Sequence, residues 1–181
     1  MSLQEIISSL PVIYDKSYEN SLIREVTFLD VTILTSDLAN LLAFSISDGY
    51  NNLAKTILEK DYKGKKLDIQ SINNSIINQS DQQYSILHFA AQFGNKEIIL
   101  YFLDHFVPIS LDKDLLSPIH TLTFAKELNK KDIIEIITNF KKFIPDIVNQ
   151  RDAFGLTALH YAAHNDNIEA LKALIECGAV N

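Results

Sequence analysis

Three observations predict that this chain of 181 residues is an all-helical solenoid of stacked helix–turn–helix units. First, the chain matches itself: Leu87-His88-Phe89-Ala90-Ala91 returns 72 residues later as Leu159-His160-Tyr161-Ala162-Ala163. The register continues without a gap, pairing Glu97 with Glu169 and Phe102-Leu103 with Leu174-Ile175. Second, a weaker copy, Ser117-Pro118-Ile119-His120, stands 32 residues after the first and 40 before the last. Third, apolar residues recur at helical spacing in two short stripes per copy. One such pair cannot bury both stripes, so the copies must stack.

Taken in order, residues 1–35 show no repeat. Their apolar stretch IREVTFLDVTIL is suited to pack on the first unit as an N-terminal cap, which such an array needs for solubility. Residues 36–60 read as a divergent first unit, in which Gly49 aligns with Gly94, Ile57-Leu58 with Phe102-Leu103, and Ala43 stands where the histidine belongs. Equivalent positions Leu42, Leu87, Ile119 and Leu159 are spaced 45, 32 and 40 apart, which places an insertion at 61–79 and divides a second around the outer helix of the third unit. Insertions map to connections because stacked helices tolerate none.

The second unit, 80–109, keeps Leu87, His88, both alanines and Gly94, with Gln83 at the place of a turn glycine. The third, 112–148, keeps Pro118 and His120 but replaces the alanine pair with Leu122-Thr123, and its second helix, DIIEIITNF, comes about three residues late. In the last, 152–181, Thr157 can cap a helix whose apolar face is Leu159, Ala162 and Ala163. Asp166-Asn167 breaks it. Ile168, Leu171, Leu174 and Ile175 mark the second helix, and Gly178 can supply the left-handed residue that ends it.

The segment DAFGLTALHYAAHNDNIEALKALIECGAVN, 152–181, resembles an ankyrin repeat over nearly its whole length. Asp152, Gly155, Thr157, Leu159, His160, Ala162, Ala163, Gly178, Ala179 and Asn181 all match the family pattern. The resemblance implies an ankyrin-repeat solenoid of about four repeats spanning 36–181, with short finger loops between repeats. It also implies a structural role for the recurring histidine, whose ring hydrogen-bonds to the Thr and to neighbouring backbone.

Composition narrows the function. The net charge of −7 argues against nucleic acid, whose binding rests on phosphate neutralisation. No apolar run is long enough to span a bilayer, and the N-terminus lacks the basic-then-apolar pattern of a signal peptide, so a cytoplasmic setting is expected. Cys177 is alone, which fits a reducing compartment. The 14 Lys against 2 Arg, with 24 Ile and 14 Asn, suggest an AT-rich genome. A bacterium delivering such a protein into a host cytosol is one setting consistent with that.

Histidine is a general base, a metal ligand and a pH switch, so His88, His120 and His160 call for a reading. At equivalent places on adjacent units they stand roughly 8–10 Å apart. Metal ligands must meet within about 2 Å of one ion. No catalytic, cofactor or metal site is therefore expected from them. Cys177 has no basic neighbour in sequence to depress its pKa. Lys60, Lys63, Lys65 and Lys66 read as a solvated insertion loop that could touch an acidic partner, and Asp112 and Asp114 as turn residues. No P-loop, dinucleotide fingerprint or spaced Cys/His set is present. The chain is not expected to be an enzyme, and no small-molecule substrate is evident.

What remains is surface. By resemblance, the array binds another protein through its finger tips and the exposed ends of its inner helices. The matching finger positions are Asp81, Gln82 and Tyr84, then Lys113, Asp114 and Leu116, then Ala153, Phe154 and Leu156; the helix-end positions are Gln92-Phe93 and His164-Asn165. The expected partner-binding set is Tyr84, Gln92, Phe93, Phe154, Leu156, His164 and Asn165. Tyr84, Phe93, Phe154 and Leu156 are large and apolar where exposure is expected, the composition of a binding hot spot. Two alternatives are the targeting arm of a longer enzyme whose catalytic part lies beyond residue 181, and a self-associating structural subunit.

Overall fold

The computed structural model describes residues 16–28, 35–62, 65–66, 68–74, 83–105 and 107–180. The expected finger residues Asp81 and Gln82, and Lys63 of the basic run, lie outside the described residues. Among the described residues four helix pairs follow one another: α2 (Thr35–Ser47) with α3 (Asn51–Glu59), α5 (Ile86–Gln92) with α6 (Lys96–Asp104), α7 (Pro118–Leu122) with α8 (Lys130–Lys141), and α9 (Ala158–His164) with α10 (Ile168–Glu176). The first helix of each pair packs on the first helix of the next, and α6, α8 and α10 stack in the same order on the outer side. One continuous core runs through the stack, from Leu22 to Leu174.

Local chemistry sets these boundaries. The outer helices α6, α8 and α10 begin at Asn95, Asn129 and Asn167, each of whose side chains accepts a backbone N–H of the first turn. Asn167 also reaches back: its Nδ2 donates to the carbonyls of Thr123 and Ala125 at 2.9 and 3.3 Å, tying the last pair to the one before. Thr121 Oγ1 ties the second and third pairs in the same way, donating to the carbonyl of His88 at 3.0 Å. In the third pair, α7 ends at Leu122 and a seven-residue turn, 123–129, precedes α8, the longer connection that the three-residue offset predicts.

Two segments outside the pairs take part in the packing. The helix α1 (Lys16–Phe28) lies against α3. Its Glu19 is fully buried and accepts the amides of Asn52 and Leu53 at 2.9 and 3.1 Å, satisfying the N-terminal donors of α3. In return Lys60 Nζ donates to the carbonyl of Val26 near the end of α1. Lys60 is therefore a tertiary cap and not part of a solvated basic loop. The insertion is also built in: β1 (Asp61–Tyr62) pairs antiparallel with β2 (Lys65–Lys66), and a short helix, α4 (Ile69–Asn73), packs on α2 and α5. Ile72 and Asn73 of α4 are fully buried. Asn73 Oδ1 accepts the amide of Leu87 at 3.0 Å, so this stretch serves the start of α5.

Candidate functional site

The third and fourth fingers are assembled by one aspartate each. Asp112 Oδ1 accepts the amides of Asp114 and Leu116 at 2.9 and 2.8 Å; Asp152 Oδ1 accepts those of Phe154 and Leu156 at the same distances. The turn then needs a left-handed residue three positions after the aspartate. Gly155 supplies it at φ +80°, whereas Leu115 adopts φ +62° and Gln83, in the second repeat, +54°. The third finger thus keeps its shape without the glycine, at a cost of about 1–2 kcal/mol for the side chain forced into that region.

The recurring histidine joins each finger to the next. In the second repeat the Ser85 amide donates to His88 Nδ1 at 3.3 Å, so the neutral ring carries its proton on Nε2. That nitrogen donates to the carbonyl of Leu116, in the following finger, at 2.9 Å. His120 repeats the arrangement, receiving the Ser117 amide at 3.1 Å and donating to the Leu156 carbonyl at 3.4 Å. Both rings are buried. Burial pushes His88 down to about 4 from 6.5 and lowers His120 as well. His160 receives the Thr157 amide at 3.1 Å but is exposed. Among the described residues no group of three or more His, Cys, Asp and Glu side chains could hold a metal ion.

Cys177 does have a basic neighbour in space, which its sequence context conceals: Lys141 Nζ donates to its carbonyl at 2.7 Å. Burial outweighs that cation and pushes the thiol up, the opposite of an activated nucleophile.

The surface residues divide unevenly. Phe154 at the last finger tip is 75% exposed, Leu156 39%, and Phe93 at the end of α5 45%; His164 is exposed beside them in sequence order on α9. Tyr84 is not free as expected. It is half-buried, with its ring stacked on His88 at 5.5 Å. Gln92 and Asn165 are also half-buried, and Asn165 Nδ2 donates to Thr123 Oγ1 at 3.1 Å. Leu116 is buried beneath its finger and is not a tip residue. Sequence reasoning missed Phe124, 44% exposed, and Leu111 and Leu115 of the third finger, also exposed. Phe124 follows Leu122-Thr123 as Gln92 follows Ala90-Ala91, so extending that register would have found it. The third and fourth fingers are joined directly, the Ala153 amide donating to the Asp114 carbonyl at 2.8 Å.

A model described as ankyrin repeats (3 copies) matches residues 119–181, and one described as an ankyrin repeat matches residues 82–111, together just over half of the chain. A comparison with the curated proteins finds no match.

Proposed function

Since the chain belongs to the ankyrin repeat family, whose members are generally protein–protein interaction modules and typically non-catalytic, we propose that it captures a partner protein on the surface of its second to fourth repeats. The observation that carries this reading is the exposure of Phe93, Phe124, Phe154 and Leu156 on neighbouring units that hydrogen bonds hold in register. Aromatic side chains fixed on a rigid scaffold bury large area at low entropic cost, which is what interface anchors require. Gln92, His164 and Asn165 would form the polar part of the same contact, and Tyr84 would present only the edge of its ring beside the third finger. The proposed setting is the cytoplasm, or a host cytosol reached by delivery from a bacterium; no helix of the described residues is long and apolar enough to cross a membrane.

The test is affinity capture from a cell extract with the full chain, set beside a Phe93→Ser, Phe124→Ser, Phe154→Ser triple variant. A partner bound by the first and lost by the second, with unchanged circular dichroism, supports the reading. Equal capture by both moves the interface elsewhere.

A further inference from the structure

Between the second and third fingers lies an open cleft of about 250 Å³. Three separate stretches wall it: Asn74 just past α4, Gln83 and Tyr84 of the second finger, and Ser110, Asp112 and Lys113 of the third. The insertion therefore helps to build a hollow on the finger side of the array. Gln83 is exposed there and holds φ +54°. A glycine would relieve that turn, and side chains kept in the left-handed region concentrate where ligands are gripped.

The chemistry of the walls selects a cation. Asn74, Gln83, Tyr84 and Ser110 each carry an oxygen able to accept a hydrogen bond. Burial, and then the charges of Asp112 and Asp114, push the Tyr84 phenol up, so the negative field of the third finger reaches this hydroxyl. Burial also raises the Asp112 carboxyl, and a carboxylate in that position gains from a cation brought beside it. Lys113 is exposed and the weakest of the groups acting on Asp112. One lysine against two aspartates leaves this finger negative. An anion would meet those carboxylates, and an apolar side chain would bury the wall oxygens unpaired.

We propose that this cleft receives an arginine side chain of the protein captured on the exposed aromatic residues, an inference that rests on that capture. The planar guanidinium carries five N–H donors in a fixed fork, which suits acceptors spread over three walls better than the compact ammonium of lysine does. Its stem would lie along Leu111, which is 40% exposed and lines the same cleft. The third finger is tied to the fourth, which carries Phe154, by the Ala153 amide on the Asp114 carbonyl at 2.8 Å. Cleft and aromatic surface are thus held in one frame.

The probe is N-acetylarginine amide, titrated into the isotope-labelled full chain and followed by NMR beside N-acetylcitrulline amide, which has nearly the same shape and no charge. Saturable shifts at Tyr84, Ser110 and Lys113 are expected with the first, and binding about tenfold weaker with the second. Asp114→Asn, at a half-exposed position, should weaken the arginine probe about fivefold, whereas Phe93→Ser and Phe124→Ser should leave it unchanged. Gln83→Gly should melt higher and bind the probe less tightly. Equal binding of the citrulline probe overturns the proposal, as do shifts spread over Glu97, Glu127 and Glu135, which would mean a general attraction to an acidic protein. In the capture experiment a Tyr84→Phe, Asp114→Asn variant should recover less of the partner. Full recovery by that variant, with loss by the triple serine variant, overturns the arginine site alone; full recovery by the triple serine variant overturns the capture reading itself.

Discussion

The first and last helix pairs among the described residues are built alike and are covered differently. At the N-terminal end the charged groups face inward: Glu19 is fully buried on two amides of α3, and Lys60 closes the end of α1. At the C-terminal end the apolar groups face outward, and every large apolar side chain exposed among the described residues lies from Phe93 onward. The contrast is sharpest in the repeated motif. Leu87 and Ile119 are fully buried and His88 and His120 nearly so, whereas Leu159 is half-buried and His160 exposed. A motif residue in a solenoid is therefore buried by the unit that follows it and not by its own helix pair.

That comparison sets the largest expected effect. Leu87→Ala should cost about 2–5 kcal/mol, the usual range for a fully buried leucine. Leu159→Ala removes a side chain already half in water and should cost about half of that or less. Urea unfolding of the two variants measures the difference; equal losses would mean that the last repeat is as well covered as the second.

Acid provides the next test. Native His88 is neutral down to about pH 4, whereas the unfolded chain takes up a proton below about 6.5. The unfolded state thus binds more protons between those values, and stability is lost as the pH falls through them. The loss from this one group reaches about 3 kcal/mol near pH 4, and His120 adds to it in the same direction. Urea midpoints should fall steadily from pH 7 to 4.5. A His88→Gln variant, weaker at neutral pH, should show a much flatter profile; an unchanged slope would place the acid sensitivity elsewhere.

The glycines distinguish a crowded junction from an open tip. Gly94 and Gly155 both lie in the left-handed region, at φ +67° and +80°. A methyl group at Gly94 would sit 3.1 Å from Ala125 Cβ and 3.1 Å from Leu128 Cγ in the next repeat, while one at Gly155 meets nothing within 4 Å. Gly155→Ala should therefore cost about 1 kcal/mol, the backbone effect alone, and Gly94→Ala about 2 kcal/mol. Thermal melts that rank the two the other way would show that the junction between the second and third repeats yields easily.

Much of this architecture was legible because repetition carries it. Leu87-His88 and Leu159-His160 announce one another, the alanine pairs fix the inner helices, and the late start of DIIEIITNF gives the long turn before α8. What stayed hidden depends on contacts made once. Glu19 meets Asn52 across 33 residues, and nothing in the segment around it marks a buried cap. Asn73 looks like one of several asparagines in a polar loop until Leu87 presents its amide. Likewise Tyr84 and Asn165 occupy positions that the repeat pattern leaves exposed, and here Tyr84 stacks on His88 and Asn165 donates to Thr123. His88 and His160 sit in the same Leu-His-aromatic-Ala-Ala motif and have opposite exposure, and the stacking order is what separates them.

The smallest effect concerns the third finger, where Leu115 holds the left-handed turn that Gly155 holds in the fourth. Its side chain is 46% exposed, so the fold gains little from burying it while the backbone bears the cost of its conformation. Leu115→Gly removes that cost, about 1–2 kcal/mol, but gives the unfolded chain about 0.5–1 kcal/mol of extra freedom. The variant should therefore come out more stable by about 0.5 kcal/mol, a rise of one or two degrees in Tm for a chain of this size. The same change deletes an exposed apolar side chain from the third finger, which is tied to the fourth through Ala153 and Asp114. If strain is tolerated here because the leucine belongs to the capture surface, the more stable variant should bind its partner more weakly. A calorimetric melt and a binding titration on Leu115→Gly settle it together: a gain in Tm with unchanged affinity would show that the leucine is strained without serving the interface.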